Sequence, residues 1–222
     1  MSTVSPASEE ELMARCQGLV GLTIGQLAAQ FAFKIPDDPL HAKGFLGSLL
    51  EQALVTSAKN QALPDFVSLG VELKTLPIDE QRRPAESTFV TSISLLNIHR
   101  EHWETSSCYL KLRRVLWVPL ESSKHIPIKQ RRIGEAFLWS PDAADLKILE
   151  QDWSLLTSMI VLGQLEHLDA SLGKYLQVRP KAAHSHVLCD AYGHLGEKIR
   201  TLPRGFYLRR SFTTKIWQEK IK

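Results

Sequence analysis

The chain has 222 residues, 44% of them apolar and 23% charged, with a formal net charge of +3. That mixture supports a sizeable buried core and excludes a disordered or collagen-like chain. Cys16, Cys108 and Cys189 are odd in number and widely spaced, which excludes a disulfide framework and points to a reducing compartment. The N-terminus lacks a basic region followed by an apolar run, and no apolar stretch approaches the ~20 residues that span a bilayer. The expectation is a soluble cytoplasmic protein. Charge is unevenly spread. Glu9, Glu10 and Glu11 lie near the start, whereas residues 198–222 carry eight basic residues against a single acid, Glu219. Such asymmetry fits a polyanionic partner.

Ser8 and Glu11 have the spacing of a capping box, predicting a helix to about Leu19. Thr23 and Gln26 have the same spacing and predict a short helix through Phe31. Pro36 to Pro39 breaks the chain. Lys43–Leu54 has a helical period, with Phe45, Leu46, Leu49, Leu50 and Ala53 as its buried stripe. Lys43 and Glu51 fall near one edge of that stripe, roughly two turns apart.

Pro64 to Pro77 reads PDFVSLGVELKTLP. Val71–Leu76 alternates, with Val71, Leu73 and Thr75 on one side and Glu72 and Lys74 on the other, the period of a strand with one face in a core. Glu72 and Lys74 then point the same way, about 7 Å apart along the strand. Gly70 suits a bend that returns Asp65 beside them. Two carboxylates are hard oxygen ligands suited to Mg²⁺ completed by water and a phosphate oxygen. Such an ion neutralises a phosphodiester and acidifies a bound water, and a neighbouring lysine can hold that water or stabilise developing charge. The stretch therefore reads as a metal-dependent phosphodiesterase centre, against the alternative of a solvated strand face with an ion pair.

Asp79–Pro84 reads as a turn, and Thr88–Leu95 as the second strand of an antiparallel pair. Asn97–Glu101 is a polar loop. Arg114–Leu120 is a compact apolar strand expected to be central, with Lys111 just before it. Ser140 followed by Pro141 predicts an N-cap with proline at N1. The helix runs to about Leu162 and stops at Gly163. Its buried side comprises Ile148, Leu149, Trp153, Leu155, Leu156, Ile160 and Val161. A short helix over Gln164–Leu168, a strand over Tyr175–Arg179 stopped by Pro180, an extended Gly205–Leu208 and a terminal helix over Ser211–Ile221 complete the chain. Helices mixed with alternating strands indicate an α/β or α+β fold.

His99, His102 and Cys108, and likewise His184, His186 and Cys189, lack the paired spacing of a zinc site. Arg179, Pro180 and Lys181 follow a strand end, and Tyr207 sits among Arg204, Arg209 and Arg210. Arginine can read guanine bidentately, and basic side chains hold phosphates.

The Pro64–Asp65 start with Glu72 and Lys74 resembles the PD-(D/E)xK signature of restriction-type endonucleases. The runs LGVELKTLP, KLRRVLWVPLE, IVLGQLE, YLQVRPKAA and TLPRGFYLRRSFT together resemble the MutH family, the strand-nicking endonucleases of bacterial methyl-directed mismatch repair. The resemblance runs from near residue 8 to near residue 216. It implies a restriction-endonuclease core, a mixed sheet flanked by helices. It also implies a single domain over residues 1–222, in two lobes whose motif strands and C-terminal reading segments face one DNA cleft. It further implies a Mg²⁺-dependent monomer, switched on by MutL. That enzyme would nick the unmethylated strand of a hemimethylated GATC duplex 5′ to the G, leaving a 5′-phosphate.

By the same resemblance Asp65 and Glu72 bind metal, Glu51 adds a third carboxylate, and Lys74 positions or activates water. Lys43 and Lys111 match further active-site lysines. Arg179, Pro180 and Lys181 match the loop that reads GATC. Tyr207, with Arg209 and Arg210 beside it, matches the segment that senses adenine methylation, and Phe89 matches an aromatic near the DNA. Two departures stand out: the family's Lys-Gly-Trp turn is Lys43-Gly44-Phe45, and Thr56–Asn60 lacks the glycines of the family's loop. The alternatives are a free-standing restriction endonuclease of the same fold, and a DNA-binding regulator with a dead centre. The intact Asp65, Glu72 and Lys74 argue against the regulator.

Overall fold

A computed structural model describes residues 4–36, 42–58, 62–182 and 186–222, with the backbone alone for residues 42 and 43. Local signals start the first two helices. Ser8 Oγ accepts the Glu11 N–H ahead of α1, Glu9–Gln17. Its capping box is displaced by one residue, because the Glu11 carboxylate accepts from Ala7 N–H and pairs with Arg15. Thr23 and Gln26 make both bonds of a true capping box ahead of α2, Ile24–Gln30. The helix α3, Ala42–Leu54, and strand β1, Glu72–Ile78, follow. The proline break predicted before α3 lies largely outside the described residues.

Further along come β2, Thr88–Ser92, α4, Ser107–Leu112, β3, Val115–Glu121, and β4, Phe137–Trp139. Next are α5, Ala143–Val161, β5, Leu176–Pro180, β6, Cys189–Tyr192, and β7, Lys198–Thr201. The chain ends with β8, Arg204–Leu208, and α6, Arg210–Lys220. No helix among the described residues is long and apolar enough to cross a membrane.

The chain forms two compact units, one of Met1–Glu86, Arg113–Ser140 and Trp217–Lys222, the other of Ser87–Leu112 and Pro141–Ile216. The first holds a mixed sheet in the order β1-β3-β4, with β1 parallel and β4 antiparallel to the central β3. Val71 and Leu73 on one side of β1, with Leu116 and Val118 of β3, join Leu12, Leu27, Leu49 and Leu50 from the helices in one core. Each fully buried leucine of this kind contributes about 1.5–3 kcal/mol. Leu76, on the opposite face of β1, is buried as well, as expected of a parallel strand covered on both sides.

The second unit holds an antiparallel sheet in the order β2-β8-β5 and the hairpin β6-β7. Leu149, Trp153, Leu156 and Ile160 form the buried apolar side of α5.

Several expectations are corrected. The strand at Thr88 does not pair with the motif strand: β1 lies parallel to β3, and β2 pairs with β8. The period of a strand states which residues share a face, not which strand lies beside it. The N-cap of α5 is Asp142, whose carboxylate accepts the Asp145 N–H at 2.7 Å, not Ser140. Leu155 and Val161 are about half exposed, at 47% and 49%, because about 100° per residue carries them roughly 120° to either side of the buried stripe of Leu149, Trp153, Leu156 and Ile160. Lys111, just ahead of β3 as expected, lies in the last turn of the short α4. The polar loop near Asn97 contains a 3₁₀ turn, and so does the segment predicted as a short helix at Gln164.

Candidate functional site

The motif stretch folds back through Gly70, whose φ of +64° lies in the left-handed region that glycine adopts without strain. Phe66 and Val71 exchange backbone hydrogen bonds of 2.9 and 3.3 Å across this reversal. Asp65 is thereby returned to the start of β1, where its Oδ2 accepts the Leu73 N–H at 2.8 Å. Glu72 is anchored through its own N–H to Arg114 O at 3.0 Å, and it is only 1% exposed. Two residues on, and so on the same face of the strand, Lys74 places Nζ 2.7 Å from Glu72 Oε1. The side chains of this pair are 13% and 2% exposed.

The C-terminal end of α3 is tied to the same place. The chain leaves the helix through Val55 at φ +59°, where glycine is usual. Thr56 N–H returns to Glu51 O, and Ser57 and Ala58 donate their N–H groups to Asp65 O at 2.9 and 3.0 Å. Glu51 is exposed and, with Phe33, Ser48, Gln52, Val55 and Thr56, lines a hollow of about 300 Å³. Lys43 lies in the first turn of α3, and its side chain is outside the described residues. Lys111 belongs to the second unit and is 7% exposed.

Among the described residues no three His, Cys, Asp or Glu side chains gather as a metal-binding group. Two hard carboxylates without a soft ligand nonetheless fit Mg²⁺, which takes one or two carboxylates, waters and substrate oxygens in preference to an all-protein cage.

The second unit gathers residues that are far apart in sequence. β2 and β5 flank β8, with Phe89 and Gln177 in register with Tyr207 and Arg179 in register with Gly205. The Phe89 and Tyr207 rings meet edge to face at 5.3 Å. Lys181 Nζ lies 3.3 Å from the Phe89 ring centroid, and the Arg179 guanidinium carbon lies 6.0 Å from that of Tyr207. Arg179 also donates to Ser87 Oγ at 2.9 Å. Burial pushes the Tyr207 phenol above its ordinary range, partly offset by Arg179, so its hydroxyl is a neutral donor at neutral pH. Gly205 admits this packing: a Cβ there would lie 2.7 Å from Phe89 Cε2 and 3.0 Å from Thr91 O. Arg210 is exposed at the start of α6.

Arg209 is half-buried and directs part of its guanidinium into the protein. Its Nε and one terminal nitrogen donate to Gly173 O and Leu172 O, each at 2.8 Å. Sequence reading also passed over Asp152 and Asp145. Asp152 accepts three backbone N–H groups from Lys174, Tyr175 and Leu176, and Asp145 pairs with Lys215. The available signal was two carboxylates on the apolar stripe of α5, where a charge is costly unless it is satisfied.

A family model described as DNA mismatch repair enzyme MutH matches residues 54–152. That segment contains Asp65, Glu72, Lys74, Phe89 and Lys111. DNA mismatch repair protein MutH of Escherichia coli K12 is 47% identical over 211 residues, covering 95% of this chain and 92% of that protein. The proteins of the same name from Escherichia coli O9:H4 strain HS and O157:H7 strain EC4115 match at the same identity and coverage. Identity at this level over nearly the full length, with an α/β architecture of mixed sheets and flanking helices consistent with a restriction-endonuclease-like fold, shows that the chain belongs to the MutH family of DNA mismatch repair endonucleases.

Proposed function

We propose that this chain is the strand-selecting nuclease of methyl-directed repair. It nicks the unmethylated strand of a hemimethylated GATC duplex 5′ to the G, leaves a 5′-phosphate, and works in the cytoplasm as a monomer activated by MutL. The observation that carries the reading is the convergence of Asp65 and Glu72 at the start of β1, with Lys74 Nζ against Glu72. Asp65 and Glu72 would hold Mg²⁺, which when bound neutralises the phosphodiester and acidifies an attacking water. Lys74 orients that water and stabilises charge developing on the phosphorus oxygens. The burial of Glu72 keeps bulk water from screening these interactions.

Strand choice falls to the β2-β8-β5 sheet. Arg179 contacts guanine edges or phosphate, Lys181 and Arg210 hold phosphates, and Pro180 shapes the strand end. Tyr207 is held by Phe89 against the adenine edge, where an N6-methyl both clashes and removes a donor.

The test is nicking of unmethylated, hemimethylated and fully methylated GATC duplexes in Mg²⁺, with and without MutL, by the wild type and by Asp65→Ala and Glu72→Ala. Expected are single-strand nicks on the unmethylated strand, stimulated by MutL and abolished in both variants while DNA binding survives. Wild-type nicking by either variant overturns the metal assignment. Methylation-blind double-strand cleavage by the wild type would mark a restriction enzyme instead.

A further inference from the structure

The turn just before β5 is held from two sides. Asp152, 7% exposed on α5, receives the N–H groups of Lys174 at 2.8 Å, Tyr175 at 2.6 Å and Leu176 at 2.9 Å. Three donors of this kind are what a buried carboxylate requires. Arg209, which directly follows β8, takes the acceptors of the same turn: Nε bonds Gly173 O and a terminal nitrogen bonds Leu172 O. Its own N–H bonds Tyr175 O at 2.8 Å. Gly173, at φ +80°, leaves no space for a side chain, since a Cβ would lie 2.0 Å from Leu176 O and 3.3 Å from Asp152 Cγ. The carboxylate thus holds the donors, and the guanidinium the acceptors, of residues 172–176.

This grip sits at the origin of the β5–β8 register. Leu176 pairs with Leu208, Gln177 with Tyr207 and Arg179 with Gly205. A slip of one residue would turn every β5 side chain to the opposite face, taking Arg179 away from the Tyr207 ring. We infer that Asp152 and Arg209 are positioning residues that set the register of β5 on β8 and, through it, the geometry in which Arg179 and Tyr207 meet DNA. The inference rests on the function proposed above for that pair. It also gives Arg209 a role distinct from a phosphate contact, because two nitrogens of its planar, fixed fork are already directed at the Gly173 and Leu172 carbonyls.

The experiment compares the wild type with Arg209→Lys, Arg209→Gln and Asp152→Asn. Three readouts are taken: nicking of unmethylated against methylated GATC strands, salt dependence of binding to a duplex lacking GATC, and amide hydrogen exchange at residues 174–176. For a positioning role, Arg209→Lys and Asp152→Asn lose at least about tenfold in methyl discrimination, as small misplacements do. Arg209→Lys keeps the wild-type salt slope, and the three amides lose protection. For a phosphate contact, Arg209→Lys retains discrimination and Arg209→Gln lowers the salt slope by about one, which overturns the inference. If the wild type does not prefer unmethylated GATC, the functional reading fails, while amide exchange still judges the clamp. If a variant fails to fold, the wild type alone decides: fast exchange at Lys174, Tyr175 and Leu176 overturns the clamp, and slow exchange supports it.

Discussion

Replacing Lys74 by methionine keeps the side chain's length and removes an ammonium 2.7 Å from Glu72 Oε1. At that separation and an effective dielectric of ~20, the Coulomb attraction is about 6 kcal/mol before desolvation is charged against it. Exposures of 13% and 2% leave little room for solvent screening. Glu72 stays buried in the variant, so the net cost of losing this partner is about 3–5 kcal/mol. A typical domain has only ~5–15 kcal/mol in all. The double variant Glu72→Gln/Lys74→Met removes both charges and should be more stable than Lys74→Met alone, since replacing a buried pair together is often nearly neutral. Urea unfolding at pH 7, followed by the fluorescence of the five tryptophans, measures both values and their coupling. A loss under ~1 kcal/mol for the single variant, below the range for a broken buried pair, would refute the reasoning. So would a double variant less stable than Lys74→Met. Nicking at saturating Mg²⁺, at a temperature where Lys74→Met is folded, should still fall by at least ~10²-fold, the scale of a lost electrostatic or acid–base group.

Tyr207→Ser should abolish methyl discrimination while activity survives; the hydrogen bond and contact at stake correspond to about 1–3 kcal/mol, or roughly 5- to 150-fold in strand preference. Unchanged discrimination in a strand-resolved nicking assay would remove Tyr207 from this role. Gly205→Ala drives a methyl onto Phe89 Cε2 and Thr91 O, so it should cost about 1–3 kcal/mol by overpacking and weaken discrimination along with stability. Wild-type thermal stability would show that the Phe89 ring yields freely. Thiol titration at pH 8 should label Cys189 alone in the native protein and all three cysteines in urea, because Cys16 and Cys108 are buried and Cys189 is partly open. Burial pushes the Cys16 thiol up to about 12 and also raises Cys189 above its ordinary value. Cys189 should therefore react more slowly than a free thiol and accelerate as pH rises. Rapid native labelling of Cys16 would contradict its burial.

The features legible in the sequence are those whose physics is local. Thr23 and Gln26 cap α2 because the four unbonded N–H groups of a helix start are met by side chains within one turn. The leucines of α3 fall on one stripe because the helical period places them there. Asp65, Gly70, Glu72 and Lys74 could be read together because a glycine bend and a two-residue strand repeat link them over ten positions of chain. Which strand lies beside which was not legible. β1 lies on β3, and β2 on β8, through hydrogen bonds between backbones that every residue type can make. The apposition of Phe89, Arg179, Lys181 and Tyr207 follows from the pairing of β2 and β5 with β8. The internal hydrogen bonds of Arg209 and the burial of Asp152 share this origin: a guanidinium or a carboxylate reads as surface until the fold supplies carbonyls or N–H groups at 2.8 Å. Local pattern determines what an element is and which face it buries, whereas the partners of a charged side chain are decided by chain segments that only the folded core brings within hydrogen-bonding reach.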